Sequence, residues 1–214
     1  SGPGGAGFDE STAMSDLSAF IHLGFRHITD LAAMDHVLFL LALAAIYRGR
    51  DWRQSLWVIT AFTVGHSVTL ALAVTGAVRL PTPLIEFLIP VTIVVTAAEN
   101  IAVRNRAAAP LRGRYRPVLA GLFGLVHGAG FANYLTSLFE GPIAIPLFGF
   151  NLGIELGQLL VLGLAGLALA GLDRILMLLG STAAQGGAHR LRVVTVSLTV
   201  LVVAAEMAMA RRPW

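Results

Sequence analysis

The sequence contains neither cysteine nor lysine among its 214 residues. Without cysteine the chain can form no disulfide, offers no thiolate nucleophile, and cannot hold a cysteine-bound zinc ion or iron–sulfur cluster. Any metal must therefore bind through imidazole, carboxylate, amide or carbonyl groups. All fifteen basic residues are arginine.

Charged residues of either sign are also scarce. They make up 13% of the chain, against about 25% in soluble proteins. Hydrophobic residues make up 56%, and the mean hydropathy is +0.77. This composition predicts an all-α, polytopic membrane helix bundle in contact with the lipid bilayer. Because the net charge of +3 is confined to loops, nucleic acid is not expected as a partner.

Hydrophobic segmentation divides the chain into three parts. Residues 1–13 are glycine-rich and polar, lack the basic start and apolar core of a signal peptide, and are expected to form a flexible leader. Residues 14–30 alternate apolar and polar faces at helical spacing, which predicts an interfacial amphipathic helix. Residues 31–210 are expected to form a six-helix transmembrane domain. Its predicted spans are about 31–47, 55–78, 84–103, 117–138, 146–172 and 193–210.

Arginine is distributed unevenly between the predicted loops. Eleven arginines fall in the odd-numbered loops and only Arg79 in an even-numbered one. Because positive loops stay in the cytoplasm, this pattern predicts that both termini are external, although Arg211 and Arg212 run against the rule. The expected location is the bacterial inner (cytoplasmic) membrane.

Several predicted spans contain ionisable or amide residues. Charged groups near a membrane helix centre cost about 2.5–3.5 kcal/mol on insertion scales, and they usually face the bundle interior, where they serve function. The residues that we expect as metal ligands are Asp35, His36, His66, His127 and Glu155. Those expected as supporting or entrance residues are His27, Asn151 and Gln158. Imidazole, carboxylate and amide groups together suit a divalent transition metal, with Ni or Co favoured and Zn or Fe as alternatives.

Helical spacing supports the convergence of these groups. Asn151, Glu155 and Gln158 follow i, i+4, i+7 and share one face of the fifth span. Glycines recur at the spacing that lets helix backbones approach closely, in the fourth span and in the fifth. These glycines are Gly121, Gly124, Gly128 and Gly130, and Gly149, Gly153 and Gly157.

Structural interpretations stand beside the metal hypothesis. A lone membrane histidine also serves as a helix–helix hydrogen-bond partner, and Asp35 with His36 is compatible with a structural pair at the headgroup boundary. Glu99 and Asn100 form either an inner exit or a structural pairing with nearby arginines. His22 and His189 are expected to be exposed.

Five stretches carry a family resemblance. They are GFRHITDLAAMDHVLFLLAL, AFTVGHSVTLALA, IEFLIPVTIVVTAAENI, GLVHGAGFANYL and FNLGIELGQ, which span roughly residues 19–160. In this order they resemble the HupE/UreJ family of nickel/cobalt permeases, particularly its short second branch. The resemblance implies six membrane helices, an external N-terminus and secondary uptake of Ni²⁺ or Co²⁺.

The resemblance also assigns individual residues. It maps the family's His-then-Asp-His motif to His27, Asp35 and His36, and its His-Gly motif to His127 and Gly128. The second histidine and the glutamate that better-known members carry in the latter helix are absent here. His66 and Glu155 are candidates to replace them.

The resulting hypothesis is a HupE/UreJ-like membrane protein that binds, and transports, a divalent transition metal and is not an enzyme. The alternative is a non-transporting accessory subunit of a larger membrane protein complex, in which the polar cluster is structural or holds a static metal or cofactor. A membrane metallo-hydrolase has the weakest support, because no recognised paired metal motif or nucleophile elbow is present.

Overall fold

Helices dominate the architecture of the protein. In a computed structural model, the described residues are 10–30, 34–79, 81–103, 113–136, 143–178 and 185–214. Over these ranges the chain forms seven α-helices, one short 3₁₀ turn at Gly49–Asp51 and no strand, which confirms the all-α prediction. The helices are α1 Glu10–Thr29, α2 Met34–Ile46, α3 Trp52–Val74, α4 Thr82–Val103, α5 Arg116–Thr136, α6 Ala144–Leu178 and α7 Gln185–Ala210.

The helix ends follow local sequence signals. Gly76, with φ of 73°, lies just beyond the end of α3, where a left-handed residue commonly terminates a helix. Pro83 stands in the first turn of α4, where the missing N–H would have no helical partner. Helix α6 ends at Leu178 and α7 begins at Gln185, so both helices extend beyond the predicted spans of about 146–172 and 193–210. In these extensions Asp173 of α6 and Arg192 of α7 form an ion pair of 2.6 Å.

Four segments are individually long and apolar enough to cross a membrane: Gly49–Val74, Thr82–Val103, Ala144–Ile175 and Gly187–Ala210. A fifth candidate is the bent pair Leu17–Thr29 and Met34–Ile46, whose halves meet at 68°. The prediction of six spans is therefore not confirmed. Over the residues that the structure describes, helix α5, Arg116–Thr136, is not among these candidates.

Helix α1 packs lengthwise against α6. A β-carbon on Gly24 would lie 2.0 Å from Phe150 O, and one on Gly153 would lie 2.0 Å from Ile21 O. Gly149 faces Leu17 and Gly157 faces Ile28, so the two helices run parallel. The predicted interfacial placement of residues 14–30 is not confirmed, and the helix begins earlier, at Glu10. Residues 1–9 of the predicted leader lie outside the described residues.

A second parallel glycine crossing joins α3 and α5. A β-carbon on Gly65 would lie 2.0 Å from Gly121 O, and one on Gly124 would lie 2.1 Å from Phe62 O. Gly128 similarly faces the backbone of His66. Bare backbone against bare backbone brings helices closer than any side chain would allow.

Arginine side chains mark the two ends of the bundle. At one end the C-terminus of α7 meets the N-terminus of α2, where Arg211 Nη1 lies 3.0 Å from Asp35 Oδ2. At the other end Arg116 stacks on the Tyr47 ring and Arg192 donates to Tyr47 O. We call this second end the arginine-rich end. Large apolar side chains such as Trp57, Val118 and Leu167 are exposed on the outside of the bundle, as lipid contact requires.

Candidate metal centre

Three histidines from three different helices meet inside the bundle. His27 lies in the last turn of α1, His36 near the start of α2, and His66 in the middle of α3. One ring nitrogen from each lies within 4.8 Å of those of the other two. We call this group the histidine cluster. His36 and His66 are buried, and His27 is partly buried.

The glycine crossings hold two of these histidines in place. His66 follows Gly65, and its backbone carbonyl would lie 2.4 Å from a β-carbon on Gly128. His27 follows the Gly24 contact by one turn of α1. Close helix–helix contacts at glycines therefore position the backbone segments that carry these two histidines.

His127 adds a fourth imidazole beside the cluster. Its ring centroid is 5.3 Å from that of His36, and only 2% of its surface is exposed. His127 Nε2 lies 3.0 Å from Thr92 Oγ1, and the same hydroxyl donates its proton to Ile89 O. Because the hydroxyl has one proton, His127 Nε2–H must be the donor to Thr92. The lone pair of neutral His127 is then on Nδ1.

Most of the ring nitrogens at this site have no hydrogen-bond partner. Among the described residues, the buried unpartnered imidazole nitrogens are His27 Nε2, His36 Nδ1 and Nε2, His66 Nδ1 and Nε2, and His127 Nδ1. Buried polar atoms are almost always satisfied, and an unsatisfied one costs about 1–3 kcal/mol. Neutral imidazole is the commonest metal ligand in proteins. A bound divalent ion would use these lone pairs.

Aromatic rings wall the cluster. Phe131 stacks on Phe150 with centroids 5.0 Å apart, and Phe131 lies 4.1 Å from His27. Phe62 contacts His127 edge-on at 5.1 Å. An apolar wall excludes competing hydrogen-bond donors, so the imidazole lone pairs remain available to a metal ion.

The carboxylates expected as ligands have other partners. Asp35 is held by Arg211, and Glu155 Oε1 accepts a hydrogen bond of 2.7 Å from Thr60 Oγ1. Neither belongs to the group of His27, His36 and His66 that the described residues bring together. Their role as ligands stays a prediction.

The two amides on α6 also form hydrogen bonds with residues outside the cluster. Gln158 Oε1 accepts from Thr63 Oγ1 at 2.9 Å, one turn along α3 from the Thr60–Glu155 contact. Asn151 Nδ2 donates to Leu147 O at 2.8 Å, and Asn151 Oδ1 is buried without a partner. Glu155 and Gln158 thus connect α6 to α3 through two hydroxyl–side-chain bonds, whereas the Asn151 bond lies within α6.

Two histidines lie where the sequence did not place them. His27, expected only as a supporting residue, is a member of the cluster, because α1 enters the bundle along α6. The signal available in the sequence was Thr29 and Asp30, two residue types that commonly cap helices and so indicate a helix boundary shortly after His27. His189, expected to be exposed, is buried, and its Nδ1 lies 2.8 Å from Arg192 Nη2. Arg192 is also buried, and its guanidinium donates hydrogen bonds to the carbonyls of Ala45 and Tyr47. His22 is exposed, as expected.

Comparison with known proteins gives one match. No curated protein and no solved structure matches the chain. Residues 5–211 match the protein family described as HupE / UreJ protein. Because the match covers nearly the whole chain, this protein belongs to the HupE/UreJ family.

Proposed function

We propose that the protein binds a divalent first-row transition metal, Ni²⁺ or Co²⁺ first of all, at the histidine cluster and carries it across the membrane. The observation that carries the proposal is the set of unpartnered imidazole nitrogens in a buried, aromatic-walled space. The family's association with nickel and cobalt agrees with this donor set.

His36 and His66 would bind the ion from α2 and α3, and His27 would bind it from the end of α1. His127 would contribute Nδ1, with Thr92 holding the opposite ring nitrogen. A transported ion must also leave, so the site must be weak enough to exchange. Asp35 directly precedes His36 in the sequence and forms an ion pair with Arg211, and this pair marks the proposed entrance. The arginine-rich end would face the cytoplasm, with both termini outside.

The direct test is the metal content of purified protein after exposure to Ni²⁺, Co²⁺ and Zn²⁺, followed by dialysis. We expect about one bound ion per chain in the native protein, and its loss in His36→Ala and in His66→Ala. His22→Ala is the matched control, because His22 is an exposed histidine on α1 and should retain the ion. Native protein that holds no ion would refute the proposal.

Transport is tested separately, in liposomes that contain the purified protein and an internal metal-sensitive dye. We expect Ni²⁺ or Co²⁺ influx in native protein and in His22→Ala, and background rates in His66→Ala. Metal binding without influx would instead support a non-transporting accessory subunit. The complete burial of His66 favours this second candidate, because a buried centre also suits a static ion. Stable co-purification with other membrane proteins would then be expected.

A further inference from the structure

A second polar network lies at the arginine-rich end of the bundle. Its centre is Asn100 on α4, which is fully buried. Asn100 Nδ2 donates to Ala42 O of α2 at 2.7 Å and lies 3.3 Å from Ser197 Oγ of α7. Asn100 Oδ1 accepts from Arg116 Nη2 at 3.1 Å. Four helices therefore meet at one amide.

The acidic member of this network is Glu99. Its carboxylate accepts hydrogen bonds from Arg116 Nη2 and from the Tyr115 hydroxyl. Burial, together with the bond to Glu99, raises the pKa of Tyr115, so Tyr115 remains a donor. Arg116 is only 5% exposed, and its Nε is buried without a partner. The guanidinium thus contributes charge to the site but leaves one of its donors unsatisfied.

A polar stripe connects this network to the histidine cluster. Thr92, Thr96 and Asn100 follow at intervals of four residues on α4, and all three are buried. Thr92 contacts His127 at one end of the stripe, and Asn100 contacts Arg116 at the other. Eight residues of helix correspond to about 12 Å along the axis. Buried hydroxyl and amide groups join membrane helices by hydrogen bonds, and here they form a continuous polar line between the two sites.

We propose that Glu99 and Asn100 form a second, weaker binding site for the transported divalent cation at the arginine-rich end, and that Arg116 occupies this site between passages. This inference rests on the proposed transport function. Glu99 and Asn100 offer oxygen donors, whereas the cluster offers imidazole nitrogen. Nickel-like ions prefer the imidazole, so an ion that reaches the oxygen site is bound less tightly and is released.

Arg116 is the cation that exchanges with the metal ion at this site. When no ion is present, its guanidinium neutralises Glu99, which would otherwise be a half-buried carboxylate without a cation. An arriving divalent ion carries more charge than the guanidinium and takes the carboxylate. When the weakly bound ion dissociates toward the cytoplasm, Arg116 forms its ion pair with Glu99 again.

The first experiment compares Glu99→Gln with native protein in the liposome assay and in equilibrium metal binding. We expect at least a tenfold slower influx, while the affinity of the histidine cluster stays within about twofold. Asp173→Asn is the matched control, because it breaks another arginine–carboxylate pair at the same end without touching the stripe. Its influx should stay within about twofold of native. Native influx in Glu99→Gln would overturn the inference and leave the proposed function intact.

The second experiment uses Arg116→Gln, which removes the resident cation. Its readout is the number of bound ions in equilibrium dialysis with Ni²⁺ or Co²⁺, which does not depend on transport. We expect binding to rise from one ion per chain toward two, and the added ion to disappear in Glu99→Gln/Arg116→Gln. If Arg116→Gln binds only one ion, the second site does not exist. If native protein binds none, the proposed function fails instead.

Discussion

Gly124→Ala tests whether the α3–α5 crossing positions the metal centre. A β-carbon at this position would lie 2.1 Å from Phe62 O and 3.0 Å from His66 N. Because β-carbons essentially never approach closer than 3.0 Å, the two helices must separate by about 0.9 Å. Both clashing atoms belong to the backbone, so no side-chain rotation relieves the contact.

This displacement should weaken metal binding. Metal–ligand distances are maintained to within about 0.2 Å, so a shift of 0.9 Å in α3 moves His66 out of ligand range. We expect at least a tenfold loss of affinity, or about 1.4 kcal/mol. Overpacking of this kind typically costs about 1–3 kcal/mol of folding free energy. For a chain of this length, the melting temperature should fall by about 2–12 °C.

Isothermal titration with Ni²⁺ and thermal melting in detergent measure the two effects. Gly166→Ala in α6 is the control, because a β-carbon there meets nothing within 4 Å. Alanine also favours a helix over glycine by about 1 kcal/mol, so the control should be no less stable than native protein. The reasoning is refuted if Gly124→Ala binds Ni²⁺ with native affinity and melts no lower than Gly166→Ala.

Three further outcomes are expected. Thr92→Val removes the acceptor that orients His127 and should weaken metal binding by about 10–100-fold in titration, whereas Thr92→Ser should bind within a few-fold of native; equal affinities for the two variants would contradict this. Metal binding to imidazole competes with protons, so bound Ni²⁺ should fall steadily from pH 7 to pH 5 in dialysis, and a flat profile would contradict imidazole ligation. Asp35→Asn should slow Ni²⁺ influx at low metal concentration, and Arg211→Ala should not, because only Asp35 attracts the cation at the proposed entrance; equal rates in the two variants would remove Asp35 from the path.

The helical architecture could be predicted from hydropathy because apolar stretches report directly on membrane helices. Hydropathy did not determine the location of α1, because its amphipathic pattern suits the bilayer surface as well as a groove between helices. The groove location depends on three glycines that let α1 and α6 approach closely, Gly24, Gly149 and Gly153. Such a contact involves two distant segments, and spacing within one segment cannot reveal its partner.

The candidate site was predictable in its residue types but not in its pairings. Mid-span histidines such as His66 and His127 stand out because imidazole is costly in hydrocarbon. The partners of Asp35 and Glu155 could not be found in the same way, since Arg211 and Thr60 are 176 and 95 residues away in sequence. A carboxylate in a span signals that a partner exists without indicating whether it is a metal, an arginine or a hydroxyl.

The parallel contact between α1 and α6 also bears on how the protein is assembled during synthesis. Helix α1 is synthesised before the other described helices. Gly153 of α6, which contacts Ile21 of α1, follows more than a hundred residues later. At about 5–20 residues per second, roughly 6–25 s pass between the synthesis of α1 and that of the α6 residues that it contacts. The segments Leu17–Thr29 and Met34–Ile46 qualify as a membrane span only together. Helix α1 therefore joins the bundle late. Because α1 carries His27, the histidine cluster is complete only when the bundle has assembled.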